Sequence, residues 1–321
     1  MTLEQFVNKV RNAVHAYFGD RLSITAQKIM KNNGIELTGL IFMEKGSDIA
    51  ATIYLDSYYE EYEEGTPLGE IVRRLIQAYE EHRPAEKLNL DFFRDYEQVR
   101  PRLACRLVIL EKNREMLEQV PHQVWLDLAV VPCCILLGDE LGCACILIRY
   151  SHMRYWNIDE KELLEEARTN MRQILRPECV SMKDFLYEMM RQAVADQLPE
   201  AEPGREAEQE QLLDRIAGLL ARQRDSGRKE MFILSNTQHF YGASVLLYPD
   251  VLEHLAGGKR GFFILPSSVH EVLLLADTGK ESRFELYRMV NEVNERNVPL
   301  EEFLSDCVYY FDRKEGKIRI L

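Results

Sequence analysis

Two uncharged apolar runs near the C-terminus constrain the fold of this chain more than any other feature. The runs extend from Gly261 to Leu265 and from Val272 to Ala276. Short apolar runs bounded by turn residues are typical of strands that are buried on both faces. The turn between them contains Pro266, so we expect two antiparallel strands within the core of the last domain.

Length and composition predict a globular protein of two or three domains. The chain has 321 residues, of which 46% are hydrophobic and 29% charged. We expect no membrane segment, because no stretch is apolar for long enough, and no secretory signal. Seven cysteines, an odd number, favour a reducing cytoplasmic location. A net charge of −13 argues against a nucleic-acid partner, which would require a basic surface.

The first 85 residues predict a small α-β-β-β-α domain. Thr2 and Gln5 have the spacing of a capping box at the start of an amphipathic helix. Asn33-Gly34 is a strong signal for a two-residue hairpin turn. Folding the chain about that turn predicts the pairs Met30–Leu37, Ala26–Ile41, Ile24–Met43 and Lys31–Glu36.

The remaining chain predicts two mixed segments of helices and strands, which makes the fold class α+β. The middle segment covers 86–195, and the C-terminal domain covers 206–321. Residues 196–205 are rich in proline and acidic side chains and predict a linker. Both segments follow a β-α-β-β-α order, but their residues are too dissimilar to establish a duplication, so that question stays open.

Residues 56–65 place three tyrosines largely on one face of a predicted helix and glutamates largely on the other. This pattern could form an acidic, aromatic binding surface. An amphipathic helix with solvated carboxylates is the favoured interpretation, because a partly buried aromatic stripe is common in such helices.

The clustered cysteines invite a zinc site, which the predicted strand pairing argues against. Cys133 and Cys134 lie on one strand of a predicted hairpin, and Cys143 and Cys145 lie on the other. The predicted register sets Leu137 opposite Cys143 and Ile135 opposite Cys145, so alternation sends Cys134 to the face opposite the other three. No C-x-x-C spacing is present. We therefore expect buried thiols, no metal and no cofactor.

Candidate ligand-binding residues cluster around the central strand pair. His270 and Glu271 are the only charge-capable side chains within it, Ser267 and Ser268 lie in its turn, and His239 and Tyr241 lie in a polar loop after an earlier strand. Loops at strand ends collect ligand-binding groups. For each histidine, and for the serines of the turn, a structural role is favoured over a ligand-binding one. The motifs of common hydrolases, nucleotide-binding proteins and metalloproteases are missing, and no catalytic residue is predicted.

Several segments together resemble a known family. They are 31–40, Thr52-Ile-Tyr-Leu55, Phe240-Tyr-Gly-Ala243, Leu247-Tyr-Pro-Asp250 and Ile264 to Glu271. Over nearly the whole chain they resemble a family of uncharacterised proteins from anaerobic gut Firmicutes, a domain of unknown function. The C-terminal part is also faintly similar to a second uncharacterised bacillar family. The first resemblance implies a bacterial cytosolic α+β protein and implies no activity.

Two functional hypotheses follow. The favoured one is a non-catalytic binding or adaptor protein, supported by the missing motifs and by the tyrosine-rich acidic face. The alternative is a small-molecule sensor or an enzyme with a pocket near His239 and His270. A cleft of ligand size beside Pro266, with converging polar groups, would favour the alternative.

Overall fold

The computed structural model describes residues 1–47, 50–82, 90–138, 142–195, 210–211, 213–218, 230–266 and 268–321. Its helices are α1 Leu3–Phe18, α2 Asp56–Glu63, α3 Leu68–His82, α4 Tyr96–Val99, α5 Arg114–Leu117, α6 Tyr150–Trp156, α7 Glu160–Ile174, α8 Met182–Ala195, α9 Pro249–Ala256 and α10 Arg283–Asn297. Residues 213–218 are also helical. Within these residues no helix has the length and apolar character needed to cross a membrane.

The strands confirm the predicted α+β class. They are β1 Leu22–Met30, β2 Glu36–Glu44, β3 Ala50–Tyr54, β4 Leu103–Ile109, β5 Gln123–Trp125, β6 Leu128–Gly138, β7 Gly142–Leu147, β8 Pro177–Ser181, β9 Met231–Asn236, β10 Gly261–Pro266, β11 Val272–Ala276, β12 Tyr309–Asp312 and β13 Lys317–Ile320.

The chain divides into two compact units. Unit 1 comprises Met1–Leu103, Glu111–Pro121 and Pro132–Ala167, and unit 2 comprises Ala104–Leu110, His122–Val131 and Arg168–Leu321. Residues of the predicted middle segment, 86–195, are therefore shared between the units. The predicted boundary at 85 and the predicted linker at 196–205 lie outside the described residues and stay predictions.

Unit 1 begins with the predicted α-β-β-β-α arrangement. Thr2 and Gln5 form the expected capping box, and β1, β2 and β3 form an antiparallel sheet. Helices α1 and α3 bury Phe6, Val10 and Leu75 in a common core with that sheet. The apolar stripe of each helix explains this packing, because one face of an amphipathic helix must be removed from water.

The predicted register of the first hairpin is wrong by one residue. Ala26 pairs with Leu40 instead of Ile41. The cause is a five-residue loop, closed by a hydrogen bond of 2.7 Å from the Lys31 N–H to the Ile35 carbonyl. Asn33 adopts a left-handed φ of 62° at its centre. Because a shift of one residue exchanges the faces of a strand, the loop length decides which side chains enter the core.

Asn113 holds this loop in place. Its Oδ1 accepts the Asn33 backbone N–H at 2.9 Å, and its Nδ2 donates to Asn33 Oδ1, also at 2.9 Å. The predicted Lys31–Glu36 pair is replaced by an ion pair between Lys28 and Glu36. The turn is therefore fixed by a residue about eighty positions away in sequence. Turn propensities depend only on neighbouring residues, so they do not predict this contact.

Unit 2 is organised around the central strands that the sequence predicts. Its six-stranded sheet has the order β13-β12-β10-β11-β9-β8, so β10 and β11 occupy its middle. They pair antiparallel, with Phe263 opposite Leu275, and every residue of β10 is buried. Helix α10 covers one face and packs Leu286 and Val290 against Leu265. The prediction of a buried antiparallel pair is confirmed.

Candidate functional site

The polar loop after β9 and the turn before β11 lie at the same end of the unit 2 sheet. Strands β9 and β11 are antiparallel, with Leu234 opposite Val272. The C-terminal end of β9 therefore adjoins the start of β11, as in any antiparallel pair. This arrangement brings residues 237–242 and residues 268–271 together.

Asn236 organises the loop from the inside. The residue is completely buried. Its Oδ1 accepts the backbone N–H of Gln238 at 2.9 Å and that of Phe240 at 3.5 Å, while its Nδ2 donates to the Phe240 carbonyl at 2.9 Å. An asparagine side chain that satisfies nearby backbone groups replaces the hydrogen bonds that a loop would otherwise take from water.

The loop backbone is held in a strained conformation. His239 and Tyr241 have positive φ values of 49° and 50°, a region that costs a non-glycine residue about 1–2 kcal/mol. Gly242 follows, and a Cβ atom there would lie 2.1 Å from Ser235 Oγ and 2.2 Å from the His270 carbonyl oxygen. Strain of this kind persists only where the surroundings fix the conformation, and it concentrates at functional sites.

Three rings form a surface that we call the aromatic platform, made of Phe240, Tyr241 and His270. The Tyr241 and His270 rings stack, with centroids 5.7 Å apart and an interplanar angle of 11°. The Phe240 ring lies against the Tyr241 ring, with centroids 4.2 Å apart. Stacked and tilted rings in contact restrict one another, so the platform presents a preformed shape to a partner.

Arg106 supports the platform from β4. Its Nη1 donates to the Tyr241 hydroxyl at 2.8 Å, and its guanidinium carbon lies 5.1 Å from the centre of the same ring. The two residues are 135 positions apart in sequence. Arg106 is a site residue that sequence reasoning missed, because no local motif connects β4 with this loop.

The hydrogen bonds of His270 decide its chemical character. Its Nδ1 accepts the backbone N–H of Tyr241 at 3.2 Å, which consumes the lone pair of the neutral ring and leaves the proton on Nε2. That Nε2 lies 4.0 Å from Glu302 Oε1. Held in this way, the imidazole is a hydrogen-bond donor toward its exposed side and is poorly placed to act as a general base.

The nearby serines serve the backbone. Ser268 Oγ accepts the His270 N–H at 3.0 Å, and Ser235 Oγ donates to the His270 carbonyl at 2.7 Å. Glu271 takes part through its carbonyl, which accepts the Ser268 N–H at 3.2 Å. Ser267 lies outside the described residues. The structure thus brings together Tyr241, Ser268 and His270 of the predicted set.

His239 contributes to a different part of the same surface. Its ring is 73% exposed, and its Nε2 lies 3.5 Å from Glu178 Oε2 of strand β8. His239 thus pairs with Glu178, while His270 stacks on Tyr241, and both histidines lie at the same end of the sheet.

A groove with a volume of ≈ 260 Å³ lies beside Glu178. It runs between strand β8 and helix α9, and its lining residues are Pro177, Glu178, Cys179, Leu234, Asp250, Val251, His254 and Leu255. Asp250 forms an ion pair with Arg172, and burial raises the pKa of the Cys179 thiol to about 11. Strand β8 was not predicted, because a five-residue strand that begins with proline gives little sequence signal.

The cavity beside Pro266 is small and apolar. Its volume is ≈ 10 Å³, about that of one water molecule. Leu265 and Leu273 of the sheet and Met289 and Val293 of α10 line it. A cavity of this size excludes a small-molecule ligand from that position in the structure.

The tyrosines of α2 belong to the core of unit 1. Tyr58, Tyr59 and Tyr62 pack against the buried cluster around Phe6, and Glu61 is held by Arg74. The amphipathic interpretation of residues 56–65 is therefore confirmed, with the tyrosine face partly buried against the core of unit 1.

The cysteine hairpin has the predicted register. Ile135 pairs with Cys145 and Leu137 with Cys143, so Cys134 points to the opposite face. Cys133 and Cys134 are buried as expected, but Cys143 and Cys145 are only half-buried. Burial raises the pKa of the Cys134 thiol to about 12. Within the described residues, no group of three or more histidine, cysteine, aspartate or glutamate side chains could hold a metal ion.

Comparison with known proteins places the chain in a family. Residues 3–313 match the family of unknown function DUF5688. The chain belongs to this family. Neither the curated proteins nor the solved structures contain a match to it. The function of DUF5688 is unknown, so the function of the site is inferred from its geometry.

Proposed function

We propose that this DUF5688 protein is a non-catalytic binding protein of the bacterial cytosol, and that the aromatic platform and the adjoining β8 surface recognise another protein. One observation carries the proposal: the Nδ1 atom of His270 accepts the Tyr241 N–H. The histidine at the centre of the site is thereby held as a donor, which suits recognition and does not suit proton abstraction.

The rigidity of the loop supports the same proposal. Two strained residues, a buried asparagine and a glycine without room for a side chain fix the loop before any partner binds. Preformed aromatic surfaces lose little conformational entropy on association, so they are effective recognition elements. The net charge of −13 favours a protein partner over a nucleic acid.

The alternative, a small-molecule sensor or enzyme near His239 and His270, has less support. The cavity beside Pro266 holds about one water molecule. Ser268, the described serine of the turn, accepts a backbone hydrogen bond and is 7% exposed. A nucleophile requires a neighbouring base within hydrogen-bond reach, and His270 offers its Nδ1 lone pair to the backbone.

The test uses two variants on the full chain. In His270→Asn, the side-chain oxygen can accept the Tyr241 N–H as Nδ1 does, so the loop keeps its conformation. Both proteins are screened with ester, phosphoester and peptide substrates. We expect His270→Asn to retain any turnover that the wild type shows. Turnover that is present in the wild type and lost in His270→Asn would refute the proposal.

The second variant, Tyr241→Ala, removes the central ring of the platform. Selection of a random peptide library on the full chain is expected to give ligands that bind the wild type. Their affinity should fall about fivefold or more in Tyr241→Ala, since a platform ring contributes about 1–3 kcal/mol to an interface. Val124→Ala, a change at an exposed apolar residue of β5, is the matched control and should leave binding unchanged.

A further inference from the structure

Among the residues that the structure describes, no strand covers the outer edge of β8, which presents unpaired backbone groups beside the groove. In the described part of the chain, β8 is the last strand of its sheet and pairs only with β9. An edge strand with free N–H and C=O groups is a template for one more strand. The register of the β8–β9 pair determines which groups are available.

The Thr237 N–H donates to the Arg176 carbonyl at 2.9 Å, so these residues form a hydrogen-bonded pair. Because such pairs alternate along an antiparallel ladder, Glu178 and Val180 also bond to β9. Pro177 and Cys179 therefore direct their backbone groups outward. A proline at an outward position agrees with the rule that proline occurs where no ladder N–H is required.

We propose that β8 binds an extended peptide segment of a partner protein as an added strand, with the side chains of the peptide in the β8–α9 groove. This inference rests on the proposed binding function and names the form of the partner. The central contact is a reciprocal pair of backbone hydrogen bonds to the N–H and C=O of Cys179. The groove accommodates side chains on the same face as Cys179 and its cross-strand neighbour Leu234.

Side-chain chemistry around the edge defines the class of peptide. Opposite Cys179, the peptide residue faces Leu234, Val251 and Leu255, which favours an apolar side chain. The next peptide residue lies across from Glu178, whose side chain is 39% exposed. Opposite charges on neighbouring strands attract, so we infer an apolar residue directly adjacent to a lysine or arginine. The charge of −13 on each copy opposes a second copy of this chain as the occupant.

The decisive variant is Cys179→Pro, which removes the outward N–H without removing a bond of the β8–β9 ladder. Its matched control is Cys179→Ala, which keeps the N–H and alters only the side chain. The probe is a fluorescein-labelled peptide from the random library, measured by anisotropy with the full chain. We expect affinity to fall about tenfold or more in Cys179→Pro, since the loss of a hydrogen bond costs about 1.4 kcal/mol, and to change less than threefold in Cys179→Ala.

Glu178→Lys gives a second test that does not depend on the proline variant folding. Selected peptides with a basic residue should bind this variant more weakly, and replacement of that basic residue by glutamate should restore binding. A peptide set without basic residues, or one insensitive to Glu178→Lys, would overturn the charge assignment.

Amide hydrogen exchange in the free protein provides an independent measurement. The Cys179 amide should exchange rapidly without peptide and slowly with it. A Cys179 amide that is already protected in the free chain would overturn the proposal, because the edge would then be covered. A dimer that Cys179→Pro dissociates would overturn it in favour of self-association. Peptide binding that is lost in Tyr241→Ala but intact in Cys179→Pro would overturn the added strand and leave the proposed binding function in place.

Discussion

Gly242→Ala tests whether the aromatic platform is held rigidly by close packing. The added methyl group would lie 2.1 Å from Ser235 Oγ, 2.2 Å from the His270 carbonyl oxygen and 2.9 Å from Ser235 Cα. Two of these three atoms belong to the backbone, so a side-chain rotation cannot relieve all the contacts. The loop and the turn before β11 must separate.

The expected cost follows from two contributions. Overpacking of a well-packed site costs about 1–3 kcal/mol. Separation of the two segments also breaks the hydrogen bond of 2.7 Å from Ser235 Oγ to the His270 carbonyl, which contributes about 1 kcal/mol. The free energy of unfolding of unit 2 should therefore fall by about 2–4 kcal/mol.

The assay requires a signal from unit 2 alone. The chain has two tryptophans; Trp125 lies in unit 2, 6.5 Å from the ring of Tyr309, and Trp156 lies in unit 1. In a Trp156→Phe background, urea unfolding followed by tryptophan fluorescence reports on unit 2. Gly258→Ala is the matched control, because a Cβ there meets nothing within 4 Å. If Gly242→Ala lowers the free energy of unfolding no more than the control does, the packing argument is refuted.

Three further predictions concern other parts of the chain. Asn113→Ala should lower the stability of unit 1 by about 1–3 kcal/mol, because it removes two hydrogen bonds to the buried Asn33, each of which contributes about 1 kcal/mol. Glu281 has its pKa held at about 2: partial burial acts to raise it, but hydrogen bonds from Thr278 and from the Lys280 N–H outweigh burial. Its contribution to stability should be present above its ordinary pKa of 4.5 and lost as the pH falls toward 2. The Cys134 thiol, whose burial raises its pKa to about 12, should react slowly with a thiol reagent in the native protein and rapidly in denaturant.

Each of these predictions has its own control and its own contrary result. Asn12→Ala, at an exposed side chain of α1, should leave the stability of unit 1 unchanged. An equal loss of stability in Asn12→Ala and Asn113→Ala would contradict the role of Asn113. For Glu281, the stability difference from Glu281→Gln should shrink as the pH falls, and a constant difference would contradict the assigned hydrogen bonds. Stoichiometric zinc in the purified protein, by elemental analysis, would contradict the prediction that the cysteines bind no metal.

The strongest sequence predictions came from patterns that a single element explains. The short apolar runs on either side of Pro266 predict the central strands, since such runs bounded by turn residues are typical of strands buried on both faces. The capping box at Thr2 and Gln5 likewise needs only residues three positions apart. Such signals are local, and the structure confirms both.

The wrong register of the first hairpin shows where local reasoning ends. Asn33-Gly34 predicted a two-residue turn, but Asn113 binds Asn33 from a distant part of the chain and stabilises a longer loop. Tertiary contacts of this kind override turn propensity without leaving a sequence signal.

The candidate site was predicted in part for the same reason. The sequence groups His270, Ser268 and Tyr241 because all three lie in loops next to predicted strands of the C-terminal domain. Arg106 and strand β8 could not, because their positions depend on the order of strands in the folded sheets. The left-handed backbone of Tyr241 gives no sequence signal, because a bulky residue rarely adopts a positive φ.

Hydrogen exchange measured by mass spectrometry, with and without a selected peptide, tests the central claim most directly. If the chain recognises its partner through the platform and the β8 edge, protection should increase in residues 176–181 and 236–242. The acidic helix α2 should exchange at the same rate in both states and serves as the internal control. Protection that appears in α2 and leaves the β8 edge and the platform loop unchanged would contradict the account.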